Sequence, residues 1–251
     1  MQLDGNQKLE KRLFSRLNKA MRDYDLIADG DKILIGLSGG KDSLALVRLL
    51  GQRAKISRPQ FSVAALHVRM KEVEYESNTG YLAEFCRENG VELYTEEVSI
   101  SSDSDNAEDR DSRKQKTPCF LCSWNRRKAL FTKAQALGCN KIALGHHRDD
   151  IVHTTLLNLF FQGQFSTMPA KLRMRKMPLT VIRPLCLIDE SDLKLYAESN
   201  CFQKQTKRCP HEHESNRTAM ADLFKQIEKI NPEARYCVMR ALENEGKLTE
   251  E

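Results

Sequence analysis

The sequence predicts an α/β protein: a five-stranded, mainly parallel sheet with helices on both faces, extended by helical additions at the N- and C-terminal ends. Three observations carry that reading. Short, near-continuous apolar runs recur between longer segments of helical period, as strands buried on both faces do. Two polar, glycine-containing turns, SGGKDS and GHHRDD, directly follow such runs, where parallel sheets bind ligands. Hydrophobic residues make up 40% and charged residues 30% of 251 positions, which excludes a fibrous or wholly disordered chain.

Residues 6–28 read as a helix that precedes the core. Lys32–Leu37 (KILIGL) is the first strand, and a helix begins at Leu44–Leu50. Phe61–Val68 is the second strand. Tyr81, Leu82, Phe85 and Cys86 give 79–89 an amphipathic helical period, with Gly90 as its stop. Val91–Val98 alternates as a third strand. Residues 99–117 are polar, charged and free of aromatics, so a mobile loop is expected there. Helical period returns at 123–137. Lys141–Leu144 is the fourth strand, followed by a helix through about Phe161. Leu179–Leu185 is the fifth strand and Ser191–Ser199 a helix. An irregular segment spans 200–217, and two final helices break at Asn231-Pro232. Residues 1–251 read as one domain, with 200–251 as a C-terminal segment. No apolar run approaches the roughly 20 residues that span a bilayer, and no apolar leader opens the chain. The expectation is a cytoplasmic protein with no membrane partner.

Forty Lys and Arg against thirty-five Asp and Glu give a net charge of +5. The excess is mild, but its placement is uneven. One basic cluster lies within 8–22, a second at Arg126, Arg127 and Lys128, a third at Lys171, Arg173, Arg175 and Lys176, and a fourth at Lys204, Lys207 and Arg208. Together with a nucleotide-type loop they point to a polyanion larger than a nucleotide.

Ser38, Gly39, Gly40, Lys41, Asp42 and Ser43 lie between a strand and a helix. The glycines let backbone N–H groups face an anion, and the helix N-terminus adds a favourable dipole. Ser38 and Ser43 supply hydroxyls, Lys41 a point charge, and Asp42 a carboxylate to hold magnesium or order the loop. Gly145, Asp149 and Asp150 belong to the second turn. Its paired carboxylates suit magnesium ligation, orientation of Arg148 and Lys41, or plain helix capping. Eight cysteines in such a chain are not a disulfide framework. Cys119 and Cys122 have the spacing of a ligand pair, compatible with zinc, a cluster or redox chemistry. Cys209, in the polar segment QKQTKRCPHEH, is the natural third member.

SGGKDS resembles the signature of the PP-loop ATP pyrophosphatases. Within them the chain is most similar to the tRNA 2-thiocytidine biosynthesis family. DYDLIADGDKILIGLSGGKDSLAL, LGHHRDDIVHTTLLNLFFQG, STMPAKLR, VIRPL and NPEARYCVMRALEN carry that resemblance in order. It implies ATP and magnesium as cofactors, and adenylation of a cytidine carbonyl oxygen in a tRNA anticodon loop. Sulfur then replaces that oxygen. Lys41, Asp42 and Asp150 are the implied catalytic residues. The rest of the loop, Gly145, Asp149 and His67 bind ATP, with Gly36 and Leu66–Val68 shaping the adenine slot. Cys119, Cys122 and Cys209 are the implied ligands of a [4Fe-4S] cluster with an open iron. Arg126, Arg127, Lys171 and Arg173 are expected to grip tRNA. A cysteine desulfurase or sulfide is the expected sulfur donor, and a homodimer is compatible. The chain departs from the family at His153, where glutamate is usual, and at Pro210-His211-Glu212-His213-Glu214. The latter leaves a Cys₃His zinc site with His211 or His213 open. The rival readings are another PP-loop pyrophosphatase, such as an amide-forming ligase, and a zinc-binding nucleotide-binding regulator.

Overall fold

The computed structural model describes residues 5–72, 74–76, 78–99, 118–203, 205–208 and 216–250. Helix α1 (Gly5–Asp23) comes first. Strand β1 (Lys32–Gly36), helix α2 (Lys41–Ala54), strands β2 (Ser62–Met70) and β3 (Glu74–Glu76), helix α3 (Thr79–Glu88) and strand β4 (Glu92–Val98) follow. Beyond 100–117 come α4 (Pro118–Ala136), β5 (Lys141–Ala143), α5 (Arg148–Gln162), β6 (Lys171–Arg173), β7 (Thr180–Ile182) and α6 (Glu190–Ser199). The chain closes with β8 (Thr206–Arg208), α7 (Asn216–Ile230), α8 (Ala234–Asn244) and β9 (Thr249–Glu250).

The main sheet has seven strands in the order β4-β2-β1-β5-β7-β6-β9. The first five, all parallel, are the five that apolar patterning predicts. The expected count of five is corrected by β6, antiparallel to β7, and β9, parallel to β6. Both are two or three residues long and largely polar, so their strand character comes from pairing rather than from an apolar pattern. A separate ribbon joins β3 to β8.

Alternate residues of the central strands enter different cores, as side chains on a pleat must. Ile33 and Ile35 join a large cluster with α1, α2, α3, α5, α6, α7 and α8. Leu34, between them, joins Leu66, Ile142, Leu130 and Ala134 in a smaller cluster, where α4 is the helix represented among the described residues. Each fully buried leucine contributes about 2 kcal/mol relative to an exposed one. Chain order changes direction between β1 and β5: the chain first moves outward to β2 and β4, then returns to the other side of β1. That switch point opens a crevice at the carboxyl edge.

Three element boundaries differ from expectation. Helix α1 ends at Asp23 rather than at 28, because Asp25 adopts a positive φ of 47° and turns the chain into β1. Helix α4 starts at Pro118, upstream of the expected 123, so positions 119 and 122 lie inside the helix. Proline at the first helical position loses no intrahelical bond. The segment 200–217 contains β8, set by pairing with β3. The expected mobile loop falls on residues almost all outside the described ones, as do Cys209, His211 and His213. No helix among the described residues is long and apolar enough to cross a membrane.

Candidate active site

The turn 38–43 leaves β1 at the crevice. Gly39 has φ +82°, a region L side chains rarely adopt, and a Cβ there would meet the Gln205 side chain. The Ser38 and Ser43 hydroxyls lie 3.1 Å apart, and the Gly40 N–H donates to Ser38 Oγ at 3.3 Å. Lys41 Nζ donates to Asp42 Oδ2 at 3.1 Å and to Glu190 Oε1 at 2.9 Å. Burial pushes the ammonium toward a lower pKa, but Glu190 and Asp42 outweigh it and hold Lys41 above its usual value. The second Asp42 oxygen, Oδ1, is buried and has no hydrogen-bond partner among the described residues. An orphaned carboxylate oxygen beside a phosphate loop suits a hard divalent cation.

The turn after β5 packs on this loop backbone to backbone. A Cβ on Gly145 would lie 3.1 Å from the Asp42 carbonyl carbon and the Ser43 nitrogen. Asp149 is buried; one carboxylate oxygen accepts from the Glu190 N–H at 2.7 Å, and the other meets Arg235 Nη1 at 3.2 Å. Asp150 accepts from the His147 N–H at 3.1 Å. Arg148 is buried. It donates to Asp189 at 2.6 Å and stacks on the Tyr236 ring at 4.7 Å. Asp189 also pairs with Arg16 at 2.8 Å and Arg235 at 3.4 Å. Burial would raise its carboxyl, but Arg148, Arg16 and Arg235 hold it below its ordinary value. Arg183 is buried, reaches His146 Nδ1 at 3.2 Å and donates to the Pro169 carbonyl; burial pulls its guanidinium down to about 10.

His67 is 1% exposed, with Nδ1 2.8 Å from the Leu37 carbonyl. Burial lowers its pKa, the Leu37 contact opposes this, and Arg126 and Arg69 push it further down. The imidazole is buried at the carboxyl end of β2, with Arg126 of α4 close enough to act on it. Cys122 is half-buried on the same helix. Helix α4 carries no acidic residue, a setting that lowers the cost of a thiolate. This donor chemistry fits a thiolate-bound metal group, whose third ligand has to come from a segment such as that of Cys209. Among the described residues, no three His, Cys, Asp or Glu side chains are grouped to hold a metal. Of the other cysteines, Cys86 and Cys186 are buried thiols raised by burial to about 11 and about 12. Cys201 and Cys237 are exposed.

The structure thus gathers Ser38, Gly39, Gly40, Lys41, Asp42, Ser43, His67, Gly145, Asp149, Asp150 and Arg126 at the carboxyl edge. It does not bring Lys171 and Arg173 there. They line a hollow with Asn140, Lys141 and Thr180 at the opposite edge, where Lys171 pairs with Asp25 at 2.8 Å. Sequence reasoning missed Glu190, Asp189 and Arg235. The available signal was position: DESD follows the fifth strand, as the other two turns follow theirs.

Comparison with known proteins places this geometry. The family model of the PP-loop domain matches residues 9–205. A tRNA-cytidine(32) 2-sulfurtransferase of Pseudomonas putida is 35% identical over 244 residues, covering 96% of this chain and 87% of the relative. The solved structure of the U34-tRNA thiolase NcsA from Methanococcus maripaludis, with its [4Fe-4S] cluster, is similar at a TM-score of 0.74. It is 25% identical, with coverage of 95% of this chain and 79% of that one. An NH3-dependent NAD synthetase from Campylobacter jejuni shares the fold at 0.50 and 16% identity, covering 98% and 94%. With a phosphate loop on β1, a second wall on β5 and these relatives over nearly its whole length, the chain belongs to the PP-loop family, in the branch of the tRNA-cytidine(32) 2-sulfurtransferases.

Proposed function

We propose that this chain is an ATP-dependent tRNA sulfurtransferase. It activates cytidine 32 of the anticodon loop at its C2 oxygen and exchanges that oxygen for sulfur. The observation that carries the reading is the convergence of the phosphate loop and the cysteine-bearing helix α4 on one sheet edge, as in a family whose relatives thiolate tRNA. Backbone N–H groups of 38–43, the two serine hydroxyls and Lys41 bind the triphosphate and stabilise charge on the departing pyrophosphate. Asp42, through its unpartnered oxygen, and Asp150 are the candidates to hold magnesium, which would neutralise phosphate charge. The cytidine C2 oxygen attacks the α-phosphorus and pyrophosphate leaves. Sulfur then adds at C2 and the C2–O bond breaks, with the oxygen departing on AMP. Cys119, Cys122 and Cys209 would hold a [4Fe-4S] cluster, and a cluster with three protein thiolates would supply an iron coordination position open to sulfur. His67 stays neutral beside the base or adenine. Arg126 contributes positive charge at the same rim.

The sulfur enters from sulfide or a cysteine desulfurase, and the reaction belongs to the cytoplasm, where tRNA is found. Lys41→Ala should reduce tRNA-dependent pyrophosphate release at least a hundredfold while the melting temperature changes little. Turnover at the parent rate would remove the phosphate-loop assignment. An amide-forming ligase, the rival on this fold, would release pyrophosphate without tRNA and with all three cysteines replaced.

A further inference from the structure

We propose that the outward face of α4, built on Phe120, Trp124, Arg127 and Lys128, is a docking surface for the single-stranded loop of the RNA substrate. A nucleobase flanking the target stacks on the Trp124 indole. The inference rests on the tRNA reading and adds the place where the loop is held.

Helical period puts these four residues on one stripe, at i, i+4, i+7 and i+8. Phe120 is 46% and Trp124 51% exposed, and Arg127 and Lys128 are exposed with them. Large aromatics seldom stand this far into solvent on a helix whose opposite side is sealed. Here Ala129 and Leu130 are buried, Leu130 in the core against the sheet, and Asn125 is 4% exposed. The helix has four basic residues and no acidic one, so the stripe favours a polyanion over an ordinary apolar protein partner.

Position supplies the second argument. The Asn125 amide donates to the Ser99 carbonyl at 3.2 Å, and Ser99 directly follows the last residue of β4. Asn125 therefore marks the level of the carboxyl edge. Residues 118–124 rise about 10 Å above it at 1.5 Å per residue. The phosphate loop leaves β1 at that same edge. The tip of α4 is thus a ridge beside the crevice. Arg126 is on the flank near His67, and Trp124 is on the outer flank. A loop that sends one base into the crevice has its neighbours available to the outer flank. Aromatic rings and basic side chains are the groups that hold unpaired bases and their phosphates.

Trp124 is the single tryptophan of the chain, so intrinsic emission reports on this face alone. The full-length protein is titrated with an anticodon stem-loop carrying cytidine at position 32. Binding is read independently from the anisotropy of a labelled copy. Emission should be quenched along the same isotherm. Trp124→Ala should weaken RNA binding about tenfold, Trp124→Phe should recover most of that loss, and ATP affinity should stay at the parent value. Arg127→Glu with Lys128→Glu should lower the salt dependence of binding by roughly one to two in log-log slope. RNA bound with unchanged emission and parent-like affinity of Trp124→Ala overturns the docking face and leaves the tRNA reading standing; this is also the result expected if the stripe serves a protein. No RNA binding by the parent overturns both.

Discussion

Glu190 holds the two halves of the crevice together at the level of single atoms. Its backbone N–H donates to Asp149 while its carboxylate takes the Lys41 ammonium. A triphosphate that engages Lys41 competes with that carboxylate, which makes Glu190 a setter of nucleotide affinity. Burial raises its pKa, but the Lys41 contact outweighs this and lowers it, so the ion pair weakens only as pH falls below the ordinary carboxylate range. Glu190 was legible only by position, in the DESD that follows the fifth strand. Lys41, Asp42, Asp149 and Asp150 sit in turns whose glycines and charges announce them, whereas Glu190 and Arg235 act through distant partners that no local pattern names. Gly145 was legible as part of a turn but not as a spacer. A methyl group there would press on the backbone of Asp42 and Ser43, which has to give by a few tenths of an ångström. Gly145→Ala should raise the KM for ATP about tenfold with a stability change near 1 kcal/mol. An unchanged KM would show that the loop absorbs the methyl freely.

Strands whose residues are apolar on both sides were legible because burial on two faces leaves no polar position to confuse the pattern. Strands β6, β8 and β9 were not, because Lys171, Arg173, Lys207 and Arg208 carry no such mark and their pairing is decided by distant neighbours. Three helices meet at one carboxylate: Asp189 draws on Arg16 of α1, Arg148 of α5 and Arg235 of α8. Asp189→Asn leaves the buried Arg148 without a counter-charge and should cost about 3 kcal/mol at pH 7. The carboxyl titrates below its ordinary value, so its stabilisation is present above that value and lost as pH falls through the lowered one. The gap between parent and variant should therefore close in acid unfolding experiments below about pH 4. A gap that stays constant with pH would show that charge is not what Asp189 contributes.

At the scale of the whole molecule the sheet separates two basic surfaces. Arg126 stands at the carboxyl edge, and Lys171 and Arg173 line a hollow at the other, a separation that sequence clusters cannot express because linear distance says nothing about sheet edges. Single Cys→Ala changes at 119, 122 or 209 should each remove bound iron and labile sulfide together with thiolation while ATP binding persists. Cys86→Ala should retain both, since that thiol is packed in the core. Stoichiometric zinc without sulfide in anaerobically made protein would reassign the cysteines to a Cys₃His centre. Arg235 adds a matter of timing. Synthesis proceeds in order, so the turns on β1 and β5 are made well before α8 leaves the ribosome. Asp149 must wait for its guanidinium until the final helix docks, with Glu228 steadying that arginine at 2.6 Å. In a chain that lacks α8, Asp149 keeps the Glu190 N–H but loses its guanidinium. Competence waits for α8, which is made after both turns that flank the crevice.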